Sequence, residues 1–96
     1  MIVSFKNKLA EHLMHGTSSK ETRRFPANLH RIAIRKLTQL DVATQLDTLR
    51  VPPGNRLEAL KGDREGQHSI RINDQWRVCF CWGEEGPTDV EITDYH

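Results

Sequence analysis

The chain opens with a short apolar run, Ile2-Val3-Ser4-Phe5, that reads as a strand. From Lys6 to Met14 the spacing changes. Leu9 and Leu13 stand four apart with Met14 beside them, which predicts an amphipathic helix. Gly16-Thr-Ser-Ser ends that helix and begins a polar, then basic, connector through Lys20-Glu-Thr-Arg-Arg. Pro26 suits the first turn of a second helix, where its missing N–H costs nothing. Leu29, Ala33, Leu37 and Leu40 follow at i, i+4, i+8 and i+11, with Ile32 alongside, and form one apolar stripe. Thr44 to Leu49 is a shorter helical candidate. It stops at Val51-Pro-Pro-Gly-Asn, whose adjacent prolines and glycine cannot continue a helix.

After this break the period drops to two. Leu57 to Lys61 is a strand candidate closed by the turn Gly62-Asp-Arg-Glu-Gly66, in which Arg64 is expected to be exposed. His68, Ile70 and Ile72 alternate with Ser69, Arg71 and Asn73. Asn73-Asp-Gln makes a tight connection, and Trp76, Val78, Phe80 and Trp82 alternate with Arg77, Cys79 and Cys81. Gly83 to Pro87 turns the chain again, and Asp89 to Thr93 forms a last strand with Val90 and Ile92 inward. The pattern predicts an α+β fold in which N-terminal helices pack on a small, mainly antiparallel sheet. The sheet is a four-strand meander that the opening strand is free to join.

Composition narrows the class. Ninety-six residues and 11.1 kDa allow one domain, 1–96. Only 36% of residues are apolar, and no stretch approaches the roughly 18 apolar residues of a membrane-spanning helix. Lys6, Lys8, Glu11 and two histidines interrupt the opening segment, which does not read as a secretory signal. A soluble, cytoplasmic protein is expected. Cys79 and Cys81 are too few for a zinc site, and a disulfide between residues two apart on a strand is strained, so they read as strand fillers in a reducing compartment. His12 and His15 lie one helical turn apart without a nearby third ligand and read as exposed helix residues. No metal or other cofactor is expected.

Charge is unevenly placed. The formal net charge is +1, yet residues 20–77 hold twelve Lys/Arg against seven Asp/Glu, a net of +5. Segment 84–96 holds five acids and no Lys or Arg. Nine of the twelve cations are arginine, whose planar fork suits bidentate phosphate contact. In the central hairpin, placing Ile72 opposite Trp76 puts Arg71 opposite Arg77, on the face turned away from the apolar positions. Like charges directly opposite are destabilising. Either a polyanion held between them or an acid such as Asp74 or Glu91 must offset that. The same parity puts Glu91, Thr93 and Tyr95 on the arginine face. Asp94-Tyr95-His96 then places an imidazole beside a carboxylate and a tyrosine, and an imidazole gives and takes protons near neutral pH. Lys61, at the end of its strand, adds a cation to that neighbourhood. Arg23, Arg24, Arg31 and Arg35 form a second, helical cluster outside it.

Several segments together resemble HigB-type toxins of the RelE/ParE superfamily. They are Arg24-Phe-Pro-Ala, Val51-Pro-Pro-Gly-Asn-Arg-Leu-Glu-Ala-Leu-Lys-Gly-Asp-Arg, Gln67-His-Ser-Ile-Arg-Ile-Asn-Asp-Gln-Trp-Arg-Val-Cys-Phe and Asp94-Tyr-His. The resemblance covers nearly the whole chain in order. It implies the toxin of a bacterial type II toxin–antitoxin module, with a RelE-like fold. The implied activity is metal-independent cleavage of mRNA in the ribosomal A site, restrained by a helix-turn-helix antitoxin of the HigA type. The toxin itself is expected to be monomeric and to form a hetero-oligomer with the antitoxin. Carried over by position, the functional residues are Lys61, Arg77, Asp94, Tyr95 and His96. Arg71 rests on the hairpin parity instead, and the helical arginines are assigned to RNA docking. Some members have a histidine where Glu58 stands, so a proton-transfer scheme through that histidine does not carry over. The rival readings are a ParE-like gyrase inhibitor and an RNA- or ribosome-binding domain without catalysis.

Overall fold

The computed structural model describes residues 1–94. Three helices come first: α1 (Lys8–His15), α2 (Lys20–Arg24) and α3 (His30–Val42). Four strands follow, β1 (Glu58–Ala59), β2 (Gln67–Arg71), β3 (Trp76–Gly83) and β4 (Gly86–Asp94). They form one antiparallel sheet in the order β1-β2-β3-β4, the expected meander. Short 3-10 turns at Leu46–Arg50, Pro53–Asn55 and Gly62–Arg64 fill the connections.

Local chemistry explains the helix ends. The Asn7 side chain accepts from the Ala10 amide and starts α1, and Gly16 ends it in the left-handed region at φ 71°, where glycine carries no Cβ penalty. The basic connector is itself a short helix. Ser19 and Thr22 form a reciprocal capping box that supplies acceptors for the first amides of α2. Thr22 is also buried, so a polar stretch became helical through its cap and one packed threonine.

The predicted stripe of α3 is the core. Leu29, Ala33, Leu37 and Leu40 are buried with Ala10, Leu13 and Phe25 against Ile70, Ile72, Val78, Phe80, Val90 and Ile92 of the sheet. Hydrophobic burial of this kind is the main favourable term in a chain of this size. The candidate helix at 44–49 is instead the 3-10 turn Leu46–Arg50, and its Leu49 is fully buried. Behind it, Asn55 is also fully buried. Its amide donates to Gln39 Oε1 and the Leu49 carbonyl at 3.1 Å each, and its oxygen accepts from Lys36 Nζ. Burial, with Arg35 beside it, lowers the Lys36 pKa.

The opening segment does not form a full strand. Only Phe5 bridges Val90, in parallel, with hydrogen bonds from Lys6 N–H to the Val90 carbonyl (2.8 Å) and from Val90 N–H to the Ser4 carbonyl (3.0 Å). It docks where β4 carries an extra residue. The register steps from Cys79↔Glu91 to Cys81↔Thr88, and Asp89 takes φ 51°. The extra residue lies just before Val90, and Val90 and Ile92 beyond it face the core by ordinary alternation.

The outer face of the sheet is partly covered too. Ser69 and Cys79 are fully buried and Glu91 is 9% exposed. Arg64 supplies part of the cover, because its guanidinium reaches Glu91 at 2.8 Å. It is half-buried and ion-paired, not an exposed turn residue.

Candidate active site

The hairpin register is the one that the alternation predicts: Arg71 stands opposite Arg77, and Arg77 stands opposite Thr93. The two arginines are not equivalent. Arg71 pairs with the exposed carboxylate of Asp74 three residues on, which offsets part of the like-charge repulsion. An exposed pair of this sort contributes about 0–1 kcal/mol. Arg77 is half-buried, and its NH1 atom is fully buried with no hydrogen-bond acceptor among the described residues. Leaving a buried donor unmatched costs about 1–3 kcal/mol, more when it is charged.

Next along the same face comes Cys79. Burial pushes its thiol from 9.0 up to about 11; the charges near enough to act on it are Arg64, Glu91, Arg77 and Lys6. Four charged groups thus gather around one strand position. Lys6 Nζ lies 3.8 Å from Glu91 and Arg64 2.8 Å from it, so Glu91 sits between two cations. Both cysteines are free.

Asp94 ends β4 opposite Trp76 and accepts from the Gln75 amide at 2.9 Å. Lys61 is exposed at the entry to the Gly62–Arg64 turn, and its carbonyl accepts from the Arg64 amide at 3.2 Å. Tyr95 and His96 lie outside the described residues. Glu58 is exposed on β1, opposite Ser69. The structure therefore brings Arg71, Arg77 and Asp94 to one end of the sheet. Lys61 stands at a turn fastened by Arg64 to the face that carries Arg77, whereas Asp94 is the register partner of Trp76 from the other face.

Arg23, Arg24, Arg31 and Arg35 are all exposed on α2 and α3. Among the described residues none of them makes an ion pair. Glu21, the nearest acid in sequence to Arg23 and Arg24, lies 3.8 Å from His12 instead. His12 is half-buried rather than exposed, with Nδ1 at 2.8 Å from Ser19 Oγ. Nor is the basic face wholly remote from the sheet site. Phe25, next to Arg24, packs edge-on against Trp76 at 5.0 Å, and Trp76 pairs with Asp94.

A cleft of about 290 Å³ lies elsewhere, among α1, α2 and α3, with His12, Leu13, Arg23, His30 and Ile34 in its wall. Among the described residues no group of three His, Cys, Asp or Glu is placed to hold a metal ion, and no helix is long and apolar enough to cross a membrane.

The family described as "RelE-like toxin of type II toxin-antitoxin system HigB" matches residues 3–96. The chain belongs to the HigB-like toxin family. It is 36% identical to Endoribonuclease HigB of Proteus vulgaris over 98 aligned positions covering 100% of each chain. It is 40% identical to Toxin HigB-1 of Vibrio cholerae over 82 positions, 85% of this chain and 84% of the relative. A YoeB/ParE toxin from Agrobacterium tumefaciens shares the fold, with a TM-score of 0.54 at 18% identity over 99% of this chain and 98% of that one. Membership in this HigB-like family implies an antitoxin partner.

Arg64 and Glu91 are the residues of this face that sequence reasoning undervalued. The available signal was parity. Glu91 is a carboxylate on the face that carries Arg71 and Arg77, and a buried carboxylate needs a partner.

Proposed function

We propose that this HigB-like toxin is a ribosome-dependent, metal-independent endoribonuclease that cuts mRNA in the ribosomal A site. The observation that carries the reading is the register of Arg77: a half-buried guanidinium directly opposite Arg71, on the sheet face turned away from the core. A phosphate held between the two guanidiniums offsets their mutual repulsion and matches the fork geometry. The Proteus vulgaris relative named an endoribonuclease supports RNA as the source of that phosphate.

In the proposed reaction the substrate's own 2′-OH attacks the adjacent phosphate. The bond to the 5′ oxygen breaks, leaving a 2′,3′-cyclic phosphate and a free 5′-OH. The step needs in-line geometry, a proton acceptor for the 2′-OH, a proton for the leaving oxygen and positive charge on the transition state. Arg77 and Lys61, supported by Arg71, supply the charge. His96 transfers the proton and Asp94 orients it, while Tyr95 positions the nucleotide. Ribosome dependence fits this set, because one good proton-transfer group leaves the in-line geometry to be supplied from outside. The antitoxin partner is a helix-turn-helix protein of the HigA type, and the toxin is monomeric without it. The site of action is the cytoplasm.

A purified translation reaction tests the reading. Fragmented mRNA carrying 5′-OH ends, formed only with ribosomes and unaffected by chelator, is the expected result. Blocked translation with intact mRNA would identify a binder instead, and inhibited DNA supercoiling a ParE-like gyrase toxin.

A further inference from the structure

The turn after β1 is fastened to the sheet in an unusual way. The Arg64 guanidinium donates through NH1 to Gln67 Oε1 on β2 at 3.1 Å and to Glu91 Oε1 on β4 at 2.8 Å. The two acceptors lie on strands that flank β3, so the side chain spans β3 at Cys79, the register partner of Glu91. Arg77 is the next residue of β3 on that face. The Arg64 side chain is 29% exposed and that of Glu91 only 12%. A carboxylate there repels an approaching polyanion, and its contacts with Arg64 and Lys6 offset that charge.

The backbone connects this clamp to Lys61. Arg64 N–H donates to the Lys61 carbonyl at 3.2 Å, and Leu60 N–H donates to the Gln67 carbonyl at 2.9 Å. Lys61 is therefore bracketed by two residues, Leu60 and Arg64, that are each tied to β2 or β4. Its own side chain stays exposed.

We infer that Arg64 and Glu91 are positioning residues, a clamp across β3 that fixes Lys61 relative to Arg77 during RNA cleavage. The inference rests on the proposed role of Lys61 as a charge stabiliser. Neither clamp residue needs to touch the RNA. Their contribution is geometric: a misplaced catalytic group costs up to about 10²-fold in rate.

A double-mutant cycle on ribosome-dependent mRNA cleavage tests the clamp. Lys61→Ala should lose about 10²-fold, as expected for a charge stabiliser. Arg64→Ala and Glu91→Gln should each lose about 10-fold in kcat with KM nearly unchanged, within the range set by misplacement. In the Lys61→Ala background either substitution should add less than about 2-fold, because residues acting as a unit are not additive. Exchanging the pair, Arg64→Glu with Glu91→Arg, should recover most of the loss. Glu91→Gln preserves size and an acceptor, so it keeps the cycle measurable if Arg64→Ala does not fold. Losses that multiply in the double variants would overturn the clamp and give Arg64 a role of its own. Wild-type cleavage by Lys61→Ala would instead remove Lys61 from the active site.

Discussion

Arg77, His96 and Cys79 carry separable predictions. Arg77→Ala should abolish cleavage, while Arg50→Ala should leave it near wild type, because Arg50 is exposed and pairs with Asp47 three residues before it, away from the sheet face. Arg77→Lys should restore activity in part, since lysine keeps the charge and loses the bidentate fork. Equal activity of the two alanine variants would refute the assignment of Arg77. Deleting His96 should lower cleavage by about 10²-fold or more, the contribution typical of a positioned acid or base, with an unchanged unfolding midpoint. Retention of activity within a few-fold would transfer the proton step to another group. Cys79 makes a prediction about pH. Its folded pKa of about 11 lies above the ordinary 9.0, so the folded state keeps a proton that the unfolded chain releases. Folding stability is then unaffected below about pH 9 and falls as pH rises from there to about 11. Urea midpoints at about pH 8 and about pH 10 should diverge in the wild type and converge in Cys79→Ala.

At the level of elements, Asn7 joins α1 to the sheet. Its side chain accepts from the Ala10 amide at 3.1 Å as the helix cap and donates to the Ile92 carbonyl at 2.9 Å on β4. One residue thus satisfies a free helix amide and a strand carbonyl. Asn7→Ala should lower unfolding free energy by about 1–2 kcal/mol, the sum of a lost cap and an unmatched strand group. Asn7→Asp keeps the cap and loses the donor, so it should fall between. A chemical denaturation series measures this. Indistinguishable midpoints for the alanine variant and the wild type would show that α1 is held by its apolar face alone.

For the molecule as a whole, the basic helical face is the remaining feature. Arg23, Arg24, Arg31 and Arg35 are exposed and without ion-pair partners among the described residues, as a surface kept for an external polyanion would be. Each phosphate contact releases about 0.7–0.9 counterion, so binding to ribosomes should weaken steeply as salt rises. Replacing Arg31 and Arg35 with glutamine should lower ribosome affinity and flatten the salt slope. Cleavage at saturating ribosomes should hardly change. Arg24 sits next to Phe25, which packs over the Asp94 end of the sheet, so Arg24→Gln should affect both affinity and rate. Ribosome affinity unchanged at two salt concentrations in the Arg31/Arg35 variant would leave that part of the cluster as an ordinary solvated surface.

Periodicity alone determined much of this protein. The α3 stripe, the meander and the Arg71–Arg77 register follow from spacing, because burial on one face of a helix or strand enforces a period that local sequence displays. The ordered motifs were enough to indicate the HigB-like family. Other features depend on contacts between distant residues. Helix α2 formed in a polar connector because Ser19 and Thr22 cap it, and Thr22 found a buried place. The opening segment is held by a single parallel bridge from Phe5 to Val90, eighty-five positions later, next to the bulge at Asp89. Arg64 reads as a solvent-exposed turn residue until Glu91, twenty-seven positions later, meets it across β3. Hydrophobic pattern records which face is buried. It does not record which charge on the other face will find a partner, because that pairing depends on distances set only when the strands are laid side by side.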